Sequence, residues 1–333
     1  METIQLAHGG GGYLTHELIR SEILSRFGDG PLASLPDGAT LANPGGSLIF
    51  TTDSFVVQPL FFPGGDIGEL AVCGTANDIA VCGGRPLWLS LAMILEEGLP
   101  LDTLRRVLDS VQRAAVRCEI SIVTGDTKVV PKGQCDGLYL NTAGIGIRRP
   151  GFQTGANTLR TGDVILVSGT LGDHGAAVLA ARGQVPVLNG PRSDTGPVQY
   201  LVQSIGENAP SIRFMRDPTR GGLAAVLNEM IEGQTVGIRI EEAALPLTQE
   251  VQAIAELMGL DPLHLPSEGR IVAVCAPEEA DAVLDGWRTL PEGRGACRIG
   301  QVTGDAGRVI LMTLAGGKRL VDQPSGELLP RIC

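Results

Sequence analysis

The sequence predicts a mixed α/β (α+β) fold in two domains, on three observations. Apolar segments of strand length alternate with amphipathic segments of helical spacing through both halves. The 333 residues are about twice the usual domain length. A Pro/Gly break, Arg148-Arg149-Pro150-Gly151, falls near the middle. These place one domain at residues 1–150, a second at 151–320 and a tail at 321–333.

The elements follow in order. His8-Gly9-Gly10-Gly11-Gly12 reads as a loop, and a helical pattern starts near Thr15. Residues 48–52 form a short buried strand that ends on Thr52-Asp53-Ser54. Residues 65–82 form a helix with Leu70, Cys73, Ala76 and Ala80 on one face and Asn77-Asp78 within it. Residues 86–95 are a strand. Residues 101–118 are an amphipathic helix, with Leu104, Val107, Leu108, Val111 and Ala115 at helical spacing. Strand 121–123 runs into Gly125-Asp126-Thr127-Lys128, and strand 137–147 closes the first half. In the second half, strands are expected at 164–168, 236–240, 270–275, 297–302 and 308–314. Helices are expected from about Asp173 and after Asp217-Pro218-Thr219-Arg220-Gly221-Gly222. The tail carries Pro324 and Pro330, lacks periodicity and reads as flexible.

Composition narrows the function. Hydrophobic residues at 43% and charged residues at 19% supply a core and exclude global disorder. A net charge of −11, with no Lys/Arg run longer than two, argues against nucleic acid as the partner. The longest apolar stretch, 86–95, is far short of the ~18 residues of a membrane span. The first residues do not read as a secretory signal, so a cytoplasmic location is expected. Seven cysteines, with no C-x-x-C pair, fit neither a disulfide framework nor a zinc ribbon. Six read as small buried hydrophobes, whereas Cys333 ends the sequence. The 46 glycines, about twice the usual ~7% share, point to tight turns and close backbone approaches.

Neither a P-loop nor a dinucleotide fingerprint occurs, so any nucleotide would be held by another architecture. Asp53, Asp78 and Asp217 are carboxylates of the type that share a divalent cation with phosphate. Turn and helix capping explains Asp53 and Asp217 as well. Arg216 to Gly222 combines two arginines, two glycines and a helix start, which outlines an anion site or an ordinary capped helix. The His8 glycine run could fold its amides over phosphates or stay a plain loop. Asp126 and Lys128 pair at a strand end, as site residues or a surface ion pair. Glu268, in Ser267-Glu268-Gly269, could approach a substrate or simply turn the chain. His174, in Gly172-Asp173-His174-Gly175, is open between site and structure, and His16 and His264 read as structural. The Cys333 thiol could act as a tethered carrier or be incidental.

Taken together, these segments resemble the HypE family of hydrogenase maturation factors, the carbamoyl dehydratases. The resemblance rests on the glycine run, Thr51 to Val57, Pro63 to Gly68, Asn77-Asp78, Gly125 to Val130, Gly172 to Gly175, Arg216 to Gly222 and Pro330-Arg331-Ile332-Cys333. The terminal motif separates this family from its aminoimidazole ribonucleotide synthetase and selenophosphate synthetase relatives. Ser267 and Arg270 stand where the family usually has Asn and Lys, and a fourth glycine stands where Ser is common.

The resemblance implies a two-domain aminoimidazole ribonucleotide synthetase-like fold whose N-terminal sheets pair into a barrel-like homodimer. It implies ATP-dependent dehydration of a carbamoyl group on Cys333 to a thiocyanate, with Lys128 and Glu268 handling protons. It implies Mg²⁺ on Asp53, Asp78 and Asp217, and ATP contacts from His8, Gly10, Thr52, Asp126, Arg216, Arg220, Gly221 and Gly222. A HypF-type carbamoyltransferase would load the thiol, and a HypC–HypD complex would receive the cyanide for hydrogenase iron. Another ATP-dependent amide-activating synthetase of the same superfamily would need no terminal cysteine, and an adaptor would need no ATP hydrolysis.

Overall fold

The computed structural model describes residues 2–152, 154–183, 190–323 and 329–333. Its first sheet is built from β1 (Leu48–Phe55), β2 (Gly84–Glu96), β3 (Ser121–Val130) and β4 (Leu138–Arg148). The strand order is β1-β4-β2-β3, so β1 and β3 are the two edges. The parallel β2/β3 pair needs a crossover, and α2 (Leu101–Arg117) supplies it.

Helix α1 (Ile67–Val81) starts where Asp66 accepts the Gly68 and Glu69 amides at 2.8 and 3.1 Å. Thirteen of its fifteen residues are buried, as a helix apolar on all sides must be. The amphipathic α2 buries one face only, including Leu104, Val107, Leu108 and Val111.

The second sheet has seven strands. They are β5 (Val164–Val167), β6 (Ile212–Arg216), β7 (Gly237–Glu241), β8 (Val272–Cys275), β9 (Cys297–Thr303), β10 (Val309–Met312) and β11 (Lys318–Leu320). Their order is β11-β10-β7-β9-β5-β8-β6. The apolar runs of β5 and β8 are fully buried inside it. Helices α3 (Asp173–Ala181), α4 (Gln199–Ile205), α5 (Gly222–Ile231), α6 (Gln249–Met258) and α7 (Ala280–Arg288) complete this half. Strands β6 and β11 carry too little periodicity to be read from sequence, and all three β11 residues are exposed.

Two strands run further than their apolar residues suggest. β1 continues through Asp53 to Phe55 because its backbone ladder with β4 persists to Phe55 opposite Leu140. β3 takes in Gly125 to Lys128 and pairs with β2 to its end. In both, main-chain pairing outlasts the hydrophobic signal.

Of the tail's two prolines, Pro324 lies outside the described residues. Residues 331–333 lie alongside the chain after β1. Val56 N–H donates to Cys333 O at 3.1 Å, and Gln58 N–H to Arg331 O at 3.2 Å. Ile332 is buried at 4% exposure. No helix among the described residues is long and apolar enough to cross a membrane.

Candidate functional site

One cleft gathers residues from five distant segments. Asp53 comes from β1, Asp78 from α1, Asp217 and Arg220 from the turn before α5, Glu268 from the loop before β8, and Cys333 from the tail. Together they enclose a cavity of about 50 Å³, room for a group of a few atoms beside the thiol.

The loop carrying Glu268 is pinned from several sides. Glu268 N–H donates to Asp194 Oδ1 at 3.1 Å, and its carbonyl accepts from Asn77 Nδ2 at 3.1 Å. Ser267 Oγ accepts the Gly172 amide at 2.8 Å. Gly269 must be glycine, since a Cβ there would lie 1.9 Å from Asp194 O. Arg270 reaches Asp194 and Asp173 at 3.6 and 3.9 Å. Ser267 and Arg270 thus both help to hold the loop.

The cleft is crowded with like charge. Burial and then the Asp78 charge push Asp53 up to about 7, against the pull of Arg220. Burial followed by Asp78 pushes Asp217 up to about 7 as well. Glu268 lies well above the carboxylate range, from burial first and then Asp217, Asp194 and Asp53. Its buried Oε1 has no hydrogen-bond partner among the described residues. The Cys333 thiol is pushed up to about 12 by burial and then by Glu268, so its thiolate is rare near neutral pH.

Carboxylates held this close fit a hard cation by donor chemistry, since a cation cancels their repulsion. Among the described residues no group of three or more His, Cys, Asp or Glu could hold a metal ion, so Asp53, Asp78 and Asp217 line one cleft without forming a metal site of their own. Phosphate oxygens would have to complete the shell.

Other expected residues lie elsewhere in the chain. Lys128 and Asp126 sit on β3, at the far edge of the first sheet, paired to each other at 2.9 Å and exposed. Three strand spacings, about 14 Å, separate that edge from β1. The turn holding His8 and Gly10 lies beside the same edge, because Gly9 packs against Val129. A cavity of about 260 Å³ opens there, with Leu91, Met93 and Ile122 as its floor and Asp126 and Lys128 at its rim. Within one chain, therefore, Glu268 neighbours Cys333 and Lys128 does not.

Thr52 is exposed and donates to Thr142 O at 2.9 Å, on the sheet face opposite Thr51 and Asp53. Arg216 pairs with Glu229 at 2.6 Å and is not among the residues lining the cleft. Gly221 adopts φ +78°, as an N-cap in the left-handed region. The Gly222 amide is spent on Thr219 O at 2.8 Å. A Cβ on Gly222 would lie 2.5 Å from Leu263 O, so packing accounts for that glycine.

Two site-building residues stood in the quoted motifs with no role assigned to them. Thr51 Oγ1 donates to Asp78 Oδ2 at 2.8 Å. Asn77, at 1% exposure, donates to Gly196 O and Glu268 O and accepts from Val198 N–H. A lone amide inside a mostly buried helix was the available signal for Asn77. His174 is fully buried and contacts the tail; His264 bonds Asp322 O at 3.4 Å.

Comparison with known proteins follows the same geometry. Residues 36–148 match the N-terminal domain of AIR synthase related protein, and residues 160–312 its C-terminal domain. The carbamoyl dehydratase HypE of Rhodobacter capsulatus is 49% identical over all of this chain and 98% of its own length. A crystal structure of HypE in complex with ATP superposes with a TM-score of 0.94 at 41% identity, covering 99% of this chain and 100% of that one. A chain in the crystal structure of a HypE–HypF complex gives a TM-score of 0.81 at 41% identity, covering 92% of this chain and 99% of that one.

Proposed function

This chain belongs to the HypE family of carbamoyl dehydratases, and from that premise we propose that it dehydrates a carbamoyl group carried on Cys333, using ATP. The observation that carries the reading is the placement of the Cys333 thiol in one cleft with Glu268, Arg220 and three aspartates.

The chemistry needs each part. A thiocarbamate, S–C(=O)–NH₂, cannot expel its oxygen as oxide. Transfer of the ATP γ-phosphoryl group to that oxygen converts it to a phosphate leaving group. Both nitrogen protons then leave, the C–O bond breaks, and S–C≡N remains on Cys333 with ADP and inorganic phosphate as products. Mg²⁺ held by Asp53, Asp78 and Asp217 would offset phosphate charge and quench the carboxylate repulsion that raises Glu268. Arg220 adds a second positive group facing the phosphates. Glu268, raised by burial first and by its carboxylate neighbours second, would serve in its ionised form as the base for a nitrogen proton.

The raised thiol divides the cycle. A docked Cys333 is a poor nucleophile, so we assign loading by a HypF-type carbamoyltransferase to an undocked tail, and dehydration to the docked one. The HypE–HypF complex of the relatives supports the first partner. A HypC–HypD complex receives the cyanide, for the iron of a hydrogenase, in the cytoplasm.

The first sheet suggests a second copy of the chain. Leu48 and Phe50 on β1 are 58% and 68% exposed, on the face opposite α1. Pairing these faces in a homodimer would bring the β3 edge of one copy, with Lys128, Asp126 and the His8 turn, toward the carboxylate cleft of the other. ATP then spans the two groups, and Lys128 regains a part in the reaction from the partner copy.

Mass spectrometry of the peptide ending in Cys333 tests the reading. After loading and addition of ATP, its mass should fall by one water from the carbamoylated form. A peptide that stays carbamoylated, with ATP consumed, would overturn it.

A further inference from the structure

We propose that His174 and Arg182, at the two ends of α3, form a clamp for main-chain carbonyls that docks the tail, making both positioning residues for the reaction at Cys333. The inference rests on the reading that Cys333 carries the reacting group.

Every carbonyl from Pro330 to Cys333 has a donor. Arg182 Nη2 donates to Pro330 O at 2.8 Å and to Arg331 O at 2.6 Å. His174 Nε2 donates to Ile332 O at 2.8 Å. Backbone amides of Val56 and Gln58 take the Cys333 and Arg331 oxygens. Arg182 Nε also donates to Gln58 O at 2.8 Å, so it ties the segment after β1 to the tail.

The tautomer of His174 follows from its neighbours. Nδ1 lies 2.9 Å from Ser193 Oγ, and Ser193 Oγ in turn accepts the Thr195 amide at 3.1 Å. With Ser193 donating to Nδ1, the ring keeps its proton on Nε2, aimed at Ile332. Full burial holds the ring neutral, down to about 4. The Ser193 hydroxyl therefore presets a donor for one carbonyl of the tail.

The docked shape is imposed on the chain. Arg331 has φ +54°, a left-handed conformation that a non-glycine residue avoids when free. Undocking would leave a buried imidazole N–H without a partner. Both effects make the docked fraction depend on the clamp, with no part for His174 or Arg182 in proton transfer.

Alkylation of the full-length chain by iodoacetamide, followed by peptide mass spectrometry, reads this directly. Cys82 is exposed and serves as the internal reference. His174→Leu and Arg182→Ala should each raise the Cys333 rate about tenfold or more, with the Cys82 rate unchanged. His174→Gln, whose amide can donate to Ile332 and accept from Ser193, should return the rate to within about threefold of native. If His174→Leu fails to fold, the half-buried Arg182 decides through Arg182→Ala. An unchanged Cys333 rate in folded Arg182→Ala, or no rescue by His174→Gln where His174→Leu folds, overturns the clamp. The readout needs only a free thiol. Faster alkylation in a protein that never forms thiocyanate would thus support the clamp and sink the carrier chemistry.

Discussion

The two edges of the first sheet are built on opposite principles. The β1 edge buries Asp217 and Glu268 at 7% and 3% exposure and sets Asp53 and Asp78 against them. The β3 edge leaves Asp126 and Lys128 in solvent, neutralising each other. An exposed pair of that kind is worth about 0–1 kcal/mol and holds little together. Crowded buried carboxylates destabilise the fold, and such strain is kept where a ligand relieves it. One edge is thus organised to receive charge, and the other offers an exposed ion pair beside a cavity.

If the edges of two copies meet, the largest effect is complementation. Cys333→Ala and Lys128→Ala chains should each be inactive alone. Co-expressed, they should recover about a quarter of native thiocyanate formation, since half the random dimers hold one intact site of two. No recovery would confine both residues to one chain's site or remove Lys128 from it.

Next comes the base at the β1 edge. Glu268→Gln should slow dehydration about a hundredfold or more, with carbamoylated Cys333 accumulating on the protein. Native turnover would return Glu268 to a turn residue.

A smaller effect sharpens the charge contrast. Asp53 and Asp217 rise from 3.8 to about 7 on folding. Their contribution to stability is therefore complete below about 4 and is lost as pH climbs through about 7. Without cation, Asp217→Asn should melt a few degrees above native at pH 8 and by much less at pH 4, and with cation it should bind Mg–ATP about tenfold more weakly. Equal melting differences at both pH values would show that the crowding is not felt.

The smallest change is Thr51→Val, which removes the bond to Asp78 and should weaken Mg–ATP by only a few-fold, by calorimetric titration. A loss as large as that of Asp217→Asn would place Thr51 on the ligand itself.

The two edges were unequally legible in the sequence. Residue type and punctuation picked out Asp53, Asp78, Asp217, Arg220 and Glu268, and the structure brings them together. Lys128 was set beside Glu268 by the resemblance, its own segment offering only a carboxylate and an ammonium at a strand end. The order β1-β4-β2-β3 sends it to the far edge, and crossover geometry has no signature in a 2.0 or 3.6 period. Helices α1 and α2 were legible from their apolar spacing. The tail was not, because its docking depends on carbonyls taken by His174 and Arg182, about 150 residues away, which no local pattern encodes.

The most direct measurement follows an oxygen atom. Cys333 is loaded with a carbamoyl group carrying a heavy oxygen isotope, ATP is added for a single turnover, and phosphate and water are analysed. ATP-driven dehydration predicts one labelled oxygen in inorganic phosphate for each thiocyanate formed. Label released to water, with unlabelled phosphate, would contradict the account.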